Sequence, residues 1–175
     1  MTVAQRRTPD GKLAGIPCAL VDELAASGLA EVIIVEADGS AGRPLKAARD
    51  GEPVFAPSST DCVLVMGADA LGLPLEETHV FRSALASEIT GLAMGAPVTL
   101  EAAVALLIGP RGLARGAPPA SRLVVFLNKV EGPAQEPDIH ALASMLLAQS
   151  ESRLCRVVMG SLRKAEQGFT VFERS

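Results

Sequence analysis

Four short runs of apolar, largely β-branched residues, separated by helix-forming stretches, constrain this chain more than any other feature. They are EVIIVEADG at 31–39, CVLVMGADALG at 62–72, RLVVFLNKVEG at 122–132 and the shorter RVVMGS at 156–161. Apolar runs without strict alternation are strands buried on both faces, as in a parallel sheet. A fifth run, FTVFE at 169–173, alternates and predicts an edge strand or a tail.

Helix signals fill the gaps. Pro17 at a first helical position and Gly28 just past the end bracket PCALVDELAAS. SALASEITGLAMG at 83–95 reads as helical up to Gly91, and Thr99 is placed to cap LEAAVALLI before Gly109-Pro110. Ile139, Leu142, Ala143 and Leu146 recur at the spacing of one buried helix face. The Gly/Pro-rich stretch at 109–122 predicts a surface loop. Strands alternating with helices predict an α/β protein: a mostly parallel sheet with helices on both faces, as one domain over residues 1–175.

Composition narrows the function classes. Aromatic residues are 3% of the chain, with no Trp or Tyr, so the core must come from Ala, Leu, Val and Ile and base stacking on aromatic platforms is disfavoured. The net charge of −4 comes with scattered basic residues, which argues against a nucleic-acid surface. No apolar run reaches the roughly 18 residues of a membrane span, and the start has no secretory signal. Cys18, Cys62 and Cys155 lie in apolar segments and read as buried thiols of a cytoplasmic protein. His79 and His140 have no partner at metal-ligand spacing.

In open α/β sheets the ligand crevice lies at the carboxyl ends of the strands. All four apolar runs end abruptly in small and polar residues: Glu36-Ala37-Asp38-Gly39-Ser40, Gly67-Ala68-Asp69, Asn128-Lys129-Val130-Glu131 and Gly160-Ser161. A hydrophobic strand delivering Glu36 and then Asp38 resembles a Walker B segment, whose carboxylate holds Mg²⁺ directly or through water. Side chains two apart on a strand share a side, so both are candidate catalytic and metal-binding groups. The competing reading is a pair of turn or capping acids before Gly39. Next, Gly39 and Ser40 open a loop containing Arg43 and Lys46, a candidate for phosphate or acidic-substrate contact.

Asn128-Lys129-Val130-Glu131 resembles the guanine-reading NKxD element of GTPases, with Glu131 where Asp is expected, so either GTP or ATP remains open. Asp69 joins these residues as a candidate nucleotide contact, and Gly160-Ser161-Leu162 stands where the next base-contacting loop would fall. The phosphate-cradling P-loop, GxxxxGK(S/T), occurs nowhere in the 175 residues.

Taken with Lys12-Leu13-Ala14-Gly15-Ile16-Pro17, the long run from Val35 through Asp38, Gly42 and Pro44 to Ala47 resembles the YqeC-type selenium-dependent hydroxylase accessory family. Glu52-Pro53-Val54, Gly67 to Gly72, Val80-Phe81-Arg82, Thr90-Gly91-Leu92 and Leu127-Asn128-Lys129 extend the likeness over most of the chain. The resemblance implies a nucleotide-binding accessory protein for maturation of a selenium-dependent molybdenum hydroxylase, with Mg²⁺ and a purine nucleotide as ligands. It implies a P-loop NTPase-like fold lacking the P-loop strand, because family members begin with a strand and P-loop upstream. The chain then reads as the C-terminal part of a larger nucleotide-binding domain, inactive as an NTPase without that segment. Two alternatives stand beside it: a non-catalytic module that docks a cofactor or the target hydroxylase, and a fragment of a Mur-type ligase.

Overall fold

The computed structural model describes residues 1–149 and 153–174. In chain order the elements are β1 (Arg6–Arg7), β2 (Leu13–Ala14), α1 (Cys18–Ala26), β3 (Leu45–Lys46), β4 (Asp61–Gly67), β5 (Val80–Phe81), α2 (Ser83–Thr90), α3 (Leu100–Ile108), β6 (Arg122–Asn128), α4 (Glu136–Leu147), β7 (Leu154–Met159) and β8 (Thr170–Glu173). Short 3-10 turns follow β4 at Ala68–Ala70 and β7 at Leu162–Gln167.

The main sheet has the order β4-β6-β7-β8. The first three strands are parallel, and β8 adds antiparallel to β7, so FTVFE is an edge strand. β3 and β5 form a separate short parallel pair, and β1 and β2 an antiparallel one. The architecture is therefore α/β with both parallel and antiparallel pairing.

Local chemistry explains the helices. Thr99 Oγ1 accepts from the Ala102 backbone N–H at 3.2 Å, giving α3 its N-cap. Gly91 closes α2 at φ 73, in the left-handed region that glycine enters without a Cβ penalty. Ile139, Leu142, Ala143 and Leu146, the expected face of α4, are fully buried. They join Ala103, Leu106 and Leu107 of α3 in one core with Leu64, Met66, Val125 and Leu127 from the sheet.

Three expectations are corrected. First, the packed helices cover only one face of the sheet among the described residues. On β4, Cys62, Leu64 and Met66 point into the core while Val63 and Val65 face outward and are about half exposed, at 54% and 53%. The helix that would cover them, α1, buries Val21 outside the main core. Second, 31–39 is not a strand. It has no strand partner among the described residues, and Val32 is 75% and Ile34 93% exposed. A strand exists through its partner's N–H and C=O groups, and no described residue pairs with this segment. The thiols also differ from expectation: Cys62 is buried, Cys18 half-buried and Cys155 exposed.

Candidate functional site

A cleft of about 940 Å³ opens between residues 30–46 and the free edge of β4. Its floor at the carboxyl end of the sheet gathers most of the expected site residues. Glu36, Asp38, Gly39, Ser40, Arg43 and Lys46 line it from one side, Asn128 and Lys129 from the other. Asp69 and Glu131 lie just outside, each tied to this group through a neighbour.

The loop after Asp38 is a tight reversal. Ala41 and Gly42 both take positive φ, 51 and 81, and the Arg43 N–H donates to the Ser40 carbonyl at 3.1 Å, the pattern of a type I′ turn. The Ser40 hydroxyl donates to the Arg43 carbonyl at 2.7 Å and closes the reversal from the side-chain direction. The turn brings Lys46 back under Asp38. Their ion pair is largely buried, and Lys46 Nζ also donates to the Gly39 carbonyl at 2.8 Å.

A charged ring surrounds Phe81 on β5. The Arg82 guanidinium carbon lies 4.9 Å from the ring centroid, with Arg43 and Lys46 each at 5.8 Å. Arg82 has φ 62 and forms a two-pronged pair with Glu52, with Nη2 to Oε1 at 3.1 Å. That guanidinium lowers the Glu52 carboxyl below the usual range, and Glu52 in turn raises Arg82. The Glu77 carboxylate accepts from the Arg82 and Ser83 backbone N–H groups, both at 3.0 Å, at the start of α2. Those two N–H groups lower the Glu77 carboxyl as well. Three cations thus meet three carboxylates, Asp38, Glu52 and Glu77, and the group is close to neutral.

On the sheet side, register places Gly67 opposite Asn128, so the ends of β4 and β6 finish together. Lys129, at φ 63, turns its ammonium onto Asp69 at 2.9 Å. Asn128 Oδ1 accepts from the Lys129 N–H at 2.8 Å and from the Leu162 N–H at 3.1 Å. One side chain therefore ties the loop after β6 to the loop after β7. Ser161 Oγ donates to Glu131 Oε1 at 3.3 Å across the same junction. A Cβ on Gly67 would stand 2.8 Å from Pro44 Cβ and 2.3 Å from Asp69 Oδ1, so only glycine fits there. Its N–H donates to the Pro44 carbonyl at 2.8 Å and joins the two sides of the site.

The metal expectation meets a specific obstacle. Glu36 is exposed, while Asp38 already faces the Lys46 ammonium. Among the described residues no group of three or more His, Cys, Asp or Glu side chains gathers as a metal cage. Mg²⁺ ordinarily takes only one or two carboxylates and completes its shell with water and phosphate oxygens. Glu36 fits that lesser part; Asp38 fits it only by releasing Lys46.

Arg82, Glu52, Glu77 and Phe81 were not among the sequence-derived site residues. Glu52 and Arg82 stand 30 positions apart, and no local spacing connects them.

The fold and site define an α/β protein with a polar, charge-paired cluster at the carboxyl edge of a parallel sheet. Residues 1–84 match the family model described as YqeC protein. An uncharacterised protein of Escherichia coli (strain K12), YqeC, is 37% identical over 119 residues, covering 68% of this chain and 46% of that relative. The chain belongs to the YqeC family, and it spans less than half the length of this curated relative. No solved structure matches it. No helix among the described residues is long and apolar enough to cross a membrane.

Proposed function

We propose that this chain is a purine-nucleotide-binding accessory protein with a P-loop NTPase-like plan, binding through the carboxyl edge of its parallel sheet. The observation that carries the reading is the double hydrogen bond accepted by Asn128 Oδ1, which joins the Asn128-Lys129 loop to Gly160-Ser161-Leu162. A base needs an edge of fixed donors and acceptors and a flat surface beside it. Asn128 and Glu131 supply polar groups, the Lys129 stem supplies the surface, and Ser161 backs Glu131. Arg43, whose Nε and Nη1 donate to the Glu77 and Ala41 carbonyls, sits across the cleft floor for phosphates. Mg²⁺, where it accompanies the nucleotide, would be held by Glu36 and the phosphates and would neutralise phosphate charge.

The chain itself is read as binding without turnover. Phosphoryl transfer relies on backbone N–H groups and a lysine aimed at the transferring phosphate, and the sequence contains no GxxxxGK(S/T). The setting, maturation of a selenium-dependent molybdenum hydroxylase, comes from the family resemblance.

Titration with fluorescent analogues of GTP and ATP tests this reading. Saturable binding is expected, weakened about tenfold or more by Lys129→Ala, roughly the loss of two methylenes of the stem packed on the base. Absence of saturable binding, or affinity indifferent to Lys129→Ala and Glu131→Ala, would refute it.

A further inference from the structure

Lys129 is held at both ends. Its backbone N–H donates to Asn128 Oδ1 at 2.8 Å, and its ammonium donates to Asp69 Oδ2 at 2.9 Å. Between those ties the side chain crosses from the end of β6 to the turn that follows β4, the neighbouring parallel strand. Two features of the backbone make the crossing. Lys129 takes φ 63, in the left-handed region that a non-glycine residue rarely enters. Gly67 leaves the space into which Asp69 folds, since a Cβ there would stand 2.3 Å from Asp69 Oδ1.

Stability alone does not account for this arrangement. The Lys129 and Asp69 side chains are 39% and 43% exposed, and an ion pair in such surroundings adds little to folding. A non-glycine residue in the left-handed region destabilises by more than such a pair contributes, and strain of that kind collects at binding sites. What the pair does fix is a shape: a short aliphatic ledge whose charge Asp69 cancels. A free lysine loses rotamer freedom when a ring settles on its stem, whereas this one is ordered beforehand. In a chain with no Trp or Tyr, such a ledge takes the place of an aromatic platform.

We propose that Asp69 is a positioning residue for the base subsite: it touches no part of the ligand and acts by stretching the Lys129 stem into a neutral ledge against which one face of the purine ring packs. The assignment rests on the nucleotide reading above and narrows it. The ledge selects a planar, uncharged ring and offers nothing to phosphates, which fall to Arg43 on the other side of the cleft floor. Glu131, by contrast, stays a direct contact at the edge of the ring. The role also differs from the direct nucleotide contact that the sequence leads one to expect of Asp69.

Titration of the full chain with the fluorescent analogues of GTP and ATP compares the parent with Asp69→Asn, Lys129→Met and the two together. Asp69→Asn keeps the shape and loses the anchor, and should weaken binding about three- to tenfold, the effect of ordering one long side chain on binding. Lys129→Met keeps the apolar stem without its anchor and should weaken binding by a similar factor. In the Lys129→Met background, Asp69→Asn should change affinity by less than about twofold, because no ammonium remains to be held. Carbon-13 relaxation at Lys129 Cε should report an ordered stem in the parent and a mobile one in Asp69→Asn, with the urea midpoint little changed. Parent binding that Asp69→Asn leaves unaltered would overturn the assignment. So would equal weakening in both backgrounds, since Asp69 would then be a direct contact or a residue of the fold. A Cε as mobile in the parent as in Asp69→Asn would overturn it too. Absence of saturable binding by the parent would refute the nucleotide reading itself, and the assignment with it.

Discussion

Lys46 and Asp38 form an ion pair at the floor of the cleft, with side chains only 6% and 17% exposed. The pair is fixed by the type I′ turn between them, and Lys46 is further bound to the Gly39 carbonyl. Such pairs contribute little relative to apolar packing, but removing one partner leaves an uncompensated buried charge.

Lys46→Met is therefore expected to destabilise the chain by about 3 kcal/mol. Asp38→Asn combined with Lys46→Met should recover most of that loss, because neither charge then remains. Urea unfolding midpoints measure both. A double variant as unstable as Lys46→Met alone would mean that packing of the lysine stem, not charge, is what the site needs.

Asn128→Ala should loosen the junction of two loops. Its Oδ1 is the acceptor for Lys129 N–H and Leu162 N–H, and both donors are left without it. The expected cost is about 1–3 kcal/mol, the range for orphaned partly buried donors. Limited proteolysis should find new cleavage within 160–168 while the core around Leu142 stays protected. Unchanged proteolysis would show that the loops hold each other without Asn128.

These residues mark where the sequence was readable and where it was not. α3 could be read to the residue, because Thr99 and Gly109 carry local signals that act on their own helix. The face of α4 and the strands β4, β6 and β7 were equally legible, since burial imposes a period or a continuous run that the chain displays directly. EVIIV has the same composition as those strands yet is unpaired, because a strand depends on a partner that its own residues do not encode. Composition announces the demand for a neighbour, not its supply. Asp38 was expected to hold a cation and Lys46 to face an external anion, whereas the two are paired with each other. The Glu52–Arg82 pair was invisible as a pair because tertiary folding alone brings it together.

Acid should weaken the region around Phe81. Glu52 is held below its ordinary range by Arg82, and Glu77 by the Arg82 and Ser83 N–H groups. A carboxyl lowered in the folded state contributes stability above its unfolded value, near 4.3 for Glu, and loses it as pH falls through the folded value. Stability should thus be level from neutral pH to about 5 and decline below it. Glu77→Gln should lower the melting temperature at pH 7, and its gap from the parent should close towards pH 3. A gap independent of pH would assign the effect to lost packing rather than to the charge.

Gly67→Ala tests whether the two sides of the site are one unit. Gly67 ends β4, its N–H reaches the Pro44 carbonyl, and register sets it beside Asn128. An added methyl would meet Pro44 Cβ at 2.8 Å and Pro44 Cα at 3.3 Å, and the latter is backbone that moves only with its loop. Overpacking of this kind costs about 1–3 kcal/mol. The same methyl would lie 2.3 Å from Asp69 Oδ1, so Asp69 would also have to turn away from Lys129. The expected outcome is a lowered urea midpoint together with faster amide exchange at 42–46, while exchange in α4 changes only with global stability. If exchange at 42–46 is unaltered and only the midpoint falls, the Pro44 loop adapts freely, and the cleft floor is two independent halves rather than one rigid joint.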